Sequence, residues 1–293
     1  MRRLRFLFIM LLINGLSTEW AIAQDSQLFT AEFNSATLGR TWKYKVFFPA
    51  GYDTSNLRYP VLYLLHSDNG DEDTWVEIFD IQATLDSLIA AAVIPACIAI
   101  MPATGTSWWV DGIEPFETAL INDLIPAVDM EYRTLAEYGG RGLVGFHIGG
   151  YGALRYALIY PSLFRTAALL TPEVYEGLPA PNSSARTAGV FGDRRFEQDV
   201  WFARNYPESI RTYQMQPLTI PMYITAGDDD PNNPAGYEYN PEQQAVILFG
   251  HLNKVTGSPA ELRVVQGNWE YIKLDALAAG LKFTFQFLKS PRL

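Results

Sequence analysis

Short runs of uncharged, mostly apolar residues recur along this chain: Val61–Leu65, Ala96–Met101, Gly142–Val144, Thr166–Leu170 and Pro221–Ala226. Runs of this length, apolar at every position, suit strands buried on both faces, as in a parallel sheet covered by helices. Tyr44–Phe48 and Glu261–Val265 add two strand-like segments. Between them, Ile78–Ala91, Phe116–Val128, Gly152–Leu158, Glu242–Val255 and Tyr271–Leu288 carry apolar residues at helical spacing. Strands alternating with helices predict an α/β fold in three layers. No repeat is visible. The Pro- and Asn-rich stretches 178–184 and 229–234 read as loops within one domain.

Gly145-Phe146-His147-Ile148-Gly149 falls between the Gly142–Val144 run and the helix that follows. Strand, tight Gly-flanked turn and helix form the setting of the G-x-S-x-G elbow, whose central Ser is a nucleophile. Here the centre is His147.

The first residues change the picture of the domain. Met1 to Arg5 is basic, Phe6 to Leu12 is apolar, and Ala21-Ile22-Ala23 is a small-x-small site. This is the layout of a signal peptide over residues 1–23, and it predicts a secreted or periplasmic protein of residues 24–293. The apolar stretch is short for a spanning helix, which needs roughly 20 residues. No membrane anchor is therefore expected after cleavage. Losing three Arg and one Glu with that segment moves the net charge from −10 to −12. An acidic chain without a basic run is a poor partner for nucleic acid. Cys97 is the lone cysteine and lies in an apolar run, where an inert thiol is expected. Three His and no Cys cluster give no pattern for a metal, and nothing in the sequence asks for a cofactor.

Several blocks, in order, resemble the putative esterase family of the α/β-hydrolase superfamily, which includes esterase D, feruloyl, acetyl-xylan and enterochelin esterases and mycolyl transferases. Tyr59 to His66 with Gly70 to Trp75 is similar to the family's third strand and oxyanion loop. Met101-Pro102 with Ser107 to Asp111 is similar to its next strand and substrate loop. Asp123 to Pro126, Tyr132 to Thr134 and Gly149 to Leu154 are similar to the segments around the elbow. The resemblance implies an α/β-hydrolase fold, with a mostly parallel central sheet and helices on both faces.

It also implies roles, and several positions depart from them. The nucleophile position holds His147. The carboxylate matches Asp230, or Asp229 as an alternative. The base position holds Gly267, or Asn268 after a one-residue shift; neither accepts a proton from Ser near neutral pH. The oxyanion donors fall at Ser67, Asp68 and Ile148, where an Asp68 carboxylate would oppose an oxyanion. Ser67 as a displaced nucleophile has no base visible in the sequence. His251 reads as a surface or packing residue and His66 as structural. Asn182-Ser183-Ser184 matches a glycosylation sequon that also arises by chance. Trp108, Trp109 and Asp111 fall at substrate contacts and suit a saccharide or acyl-ester-like ligand, or else simply pack their loop.

Three readings follow. The first is a pseudo-esterase that binds a ligand in the former active-site cleft. The second is a hydrolase or acyl transferase with rearranged chemistry centred on His147. The third is a structural module.

Overall fold

The computed structural model describes residues 25–193, 195–229, 240–255, 257 and 259–293. The expected signal peptide and Asp230 lie outside the described residues. Eight strands form one sheet: β1 (Gln27–Ser35), β2 (Arg40–Phe48), β3 (Val61–Leu65), β4 (Ile98–Pro102), β5 (Arg141–Phe146), β6 (Thr166–Leu170), β7 (Met222–Gly227) and β8 (Ala260–Val265). Their order is β1-β2-β4-β3-β5-β6-β7-β8. β1 and β2 pair antiparallel, as do β2 and β4, and every other pairing is parallel.

The uncharged runs become central strands because both of their faces are covered. On β3, Val61, Tyr63 and Leu65 enter one core while Leu62 and Leu64 enter the other. Each buried Leu contributes about 1.5–3 kcal/mol by leaving water. The first core is closed by α3 (Phe116–Ala119), α4 (Ile125–Glu131), α5 (Ile148–Ile159), α6 (Gln198–Arg204), α7 (Tyr206–Tyr213) and α8 (Pro241–Leu252). The second is closed by α1 (Thr74–Phe79), α2 (Ile81–Ala90) and α9 (Trp269–Thr284). This is the three-layer arrangement expected of the α/β-hydrolase fold.

Some elements differ from the sequence expectation. The helix expected over Ile78–Ala91 is two helices, broken at Asp80, whose φ of 44° is left-handed. Asp tolerates that conformation better than most residues. Phe116–Val128 is not one regular helix, because a π-type turn at Leu120–Leu124 separates α3 from α4. β1, α6 and α7 were not anticipated. β1 is an edge strand with an alternating pattern rather than an apolar run. α6 and α7 are short: α6 buries only Trp201, and of the residues α7 buries, Tyr206, Ile210 and Tyr213, only Ile210 is aliphatic.

Candidate functional site

The carboxyl ends of β3, β5, β6, β7 and β8 converge on one edge of the sheet, where open α/β folds bind ligands. β5 ends at the elbow. A side chain at Gly145 would strike the Gly149 carbonyl, and one at Gly149 would strike the carbonyls of Leu65 and His66. Both positions therefore need glycine. His147 sits between them at φ 50° and ψ −118°, a strained conformation for a residue with a side chain. Its N–H donates to the Leu170 carbonyl at 3.1 Å, and its own carbonyl accepts from the N–H groups of Tyr151 (3.2 Å) and Glu173 (3.0 Å). The elbow is thus intact, with imidazole where a hydroxyl would stand.

The His147 ring is half-buried between Phe146 and Trp269, with ring centroids 5.5 and 4.7 Å away. Nδ1 lies 3.3 Å from Ser67 Oγ. Nε2 is buried with no hydrogen-bond partner among the described residues. Burial pushes the imidazole pKa down to about 4, against a smaller opposing pull from Glu270. At neutral pH the ring is uncharged.

The two residues expected at the base position, Gly267 and Asn268, lie in the turn between β8 and α9. Gly267 has a φ of 113°, which a side chain rarely adopts. Its N–H donates to Asp228 Oδ1 at 2.7 Å, and its carbonyl accepts from the Asp229 N–H at 3.3 Å. Asn268 precedes α9 with its Oδ1 buried and unpartnered among the described residues. Trp269 then stacks on Phe146 at 5.3 Å and packs at a tilt against the His147 ring at 4.7 Å. The other two histidines are committed elsewhere. His66 is fully buried; its Nε2 accepts from the Thr104 N–H at 3.0 Å, and burial lowers its pKa to about 4. His251 is on α8, 3.1 Å from Glu176.

A cleft of about 300 Å³ opens over the elbow. Ser67 and Asp68, expected at the oxyanion loop, line it. Ile148 is buried at the first position of α5, where its N–H has no intrahelical acceptor. The loop after β6 adds Thr171, Glu173 and Tyr175, and the turn at Asn182–Ser184 closes the far wall. Glu173 Oε1 accepts from the hydroxyls of Tyr175 (2.8 Å) and Ser183 (3.0 Å). Burial, with a smaller contribution from Asp68, raises its pKa; the two hydrogen bonds oppose this. Sequence reasoning missed Thr171 and Glu173. A carboxylate three residues beyond the end of a buried strand was the available signal, since ligands gather at that edge.

Trp108, Trp109 and Asp111 do not line this cleft. Both Trp side chains are fully buried despite positive φ. Trp108 packs among Tyr151, Phe191 and Trp201, and its Nε1 donates to Ser184 Oγ at 3.0 Å. Trp109 lies over Gly152, which leaves it room, and its Nε1 donates to the His66 carbonyl at 3.1 Å. Asp111 accepts from the N–H and hydroxyl of Thr118 and borders a different hollow beside Arg204. The loop-packing alternative describes the two Trp, because burying large aromatic area outweighs presenting it to solvent. Ser67, in contrast, has a base within reach that the sequence did not reveal, since His147 reaches it only through the fold.

The chain is 34% identical to an esterase of Mycobacterium tuberculosis over 151 residues, which cover 49% of this chain and 32% of that protein. It is 31% identical over 153 residues to an endo-1,4-beta-xylanase/feruloyl esterase of Xylanibacter ruminicola, covering 49% of this chain and 21% of that one. The match therefore spans a third or less of these relatives. A ferulic acid esterase of known structure superposes with a TM-score of 0.72 at 22% identity, covering 90% of this chain and 100% of that chain. At that identity the likeness is one of fold. The sequence profile described as Putative esterase matches residues 35–246, which hold the elbow and most of the sheet, and the chain belongs to that family.

Proposed function

We propose that this protein is an exported member of its family that has lost serine-dependent ester hydrolysis and binds a small hydroxylated or acyl-type ligand in the cleft over the elbow. The observation that carries the reading is the imidazole of His147 at the centre of an otherwise intact elbow. The nucleophile position offers no oxygen, and the β8–α9 turn carries Gly267 and Asn268, neither of which accepts a proton near neutral pH. Triad members act together, and losing one costs several orders of magnitude in rate. The cleft itself remains open and polar, which supports binding. The signal-peptide pattern of residues 1–23 supports export.

The Ser67–His147 contact favours a second reading, with Ser67 as nucleophile and His147 as base. Against it, Nδ1 accepts a proton only if Nε2 carries one, and Nε2 has no carboxylate to hold it among the described residues. A pKa near 4 also makes a weak base at pH 7.

Two measurements decide. Short p-nitrophenyl esters and feruloylated sugars should show no turnover above buffer, and a fluorophosphonate should leave the protein unlabelled. Turnover or labelling that disappears in Ser67→Ala establishes the second reading and ends the first. His147→Ser restores the hydroxyl without a base and should remain at background; labelling approaching one equivalent would show that a base is present after all.

A further inference from the structure

The cleft is lopsided in charge. Asp68 and Glu173 line it, and no Lys or Arg does among the described residues. His147 adds no charge at neutral pH. One oxygen of Glu173 is fixed by Tyr175 and Ser183, and no protein donor reaches the other among the described residues. Asp68 is half-buried, its Oδ1 accepting from the Asn69 N–H at 3.0 Å. Two carboxylates facing one polar hollow repel each other, and a bound cation relieves that repulsion. Burial is the main cause of the raised pKa of Glu173, and the Asp68 carboxylate adds a smaller push in the same direction.

A second observation points to a ligand with hydrogen-bonding groups. Thr171 lines the same cleft, is 3% exposed, and its hydroxyl has no partner among the described residues. A buried hydroxyl left unpaired costs about 1–3 kcal/mol. A hydroxylated ligand seated beside it removes that cost.

We propose that the cleft selects a small hydroxylated organic cation, of the amino-sugar or amino-alcohol class, with its ammonium between Asp68 and Glu173 and its hydroxyls toward Thr171 and Ser183. The proposal rests on the binding reading above and names the ligand's charge. A cleft of about 300 Å³ holds one monosaccharide-sized molecule. An ammonium donates three hydrogen bonds, enough to satisfy a carboxylate oxygen on each side.

The test uses the protein of residues 24–293 with glucosamine, glucose and glucuronate, followed by calorimetry and ligand-observed NMR at neutral pH. Glucosamine should bind at least about tenfold more tightly than glucose, and glucuronate should not bind, as expected for a charge-assisted contact. Asp68→Asn and Glu173→Gln should each erase most of the preference for glucosamine over glucose. Asp68→Asn serves if Glu173→Gln disturbs the Tyr175–Ser183 network. Equal affinity for glucosamine and glucose, a preference for glucuronate, or a preference that survives both variants overturns cation selection while leaving a binding cleft in place. Binding of none of the three overturns cation selection as well. Ester turnover by the same preparation instead overturns the non-hydrolytic reading, so the two failures are separable.

Discussion

The imidazole of His147 is the residue on which chemistry and stability meet. Its pKa is lowered in the folded state to about 4, as is that of His66. The unfolded chain binds protons to both below about pH 6.5, so it gains stability relative to the folded protein as pH falls. The folded protein therefore holds its full margin above about pH 6.5 and loses it between there and pH 4, by about 3 kcal/mol for each histidine. Denaturant unfolding of His147→Gln, which does not titrate, should show a correspondingly shallower loss over that range. An unchanged slope would mean that the ring is solvated. Trp109 tests packing at the same scale. Trp109→Phe leaves the His66 carbonyl without its donor and should cost about 1–3 kcal/mol in unfolding free energy.

Among elements, the β5–α5 elbow is the least tolerant. Gly149 approaches the backbone of Leu65 and His66 so closely that a methyl group cannot fit without moving β3 or α5. Gly149→Ala should lower stability by more than about 3 kcal/mol or prevent soluble expression, as read by thermal unfolding. A fall below about 0.5 kcal/mol would show that the turn relaxes freely. The elbow was legible from Gly145 and Gly149 because sterics force that spacing wherever a strand turns sharply into a helix. The central strands were legible from continuous apolar runs. β1, α6 and α7 were not, because an edge strand alternates, α6 buries a single side chain, and two of the three that α7 buries are Tyr, whose hydroxyl blurs an apolar pattern. The choice between ligand contact and loop packing for Trp108 and Trp109 was left open by the sequence for a related reason. A Trp in a loop reads the same whether it faces a ligand or a core, and the receiving surface, Gly152 and Trp201, is distant in sequence.

For the whole molecule, two cores on opposite faces of one sheet make opening cooperative, and Cys97 reports on it. It is fully buried in the second core, and burial drives its thiol pKa far upward. Thiol reagents should label Cys97 only at the rate of unfolding, with labelling following denaturant concentration. Fast labelling in the native state would indicate that α1, α2 and the end of α9 open independently.

The amino-acid sequence by itself determined the central strands and the Gly-flanked elbow with His147 at its centre, because apolar runs, glycine spacing and residue identity are local properties. Only the tertiary structure decided that Ser67 meets His147, that Trp269 packs against its ring, and that Asp68, Glu173 and Thr171 share one cleft. Those groups come from the ends of β3, β5, β6 and β8, and the parallel crossovers that bring strand ends to one edge leave no trace in the spacing between them.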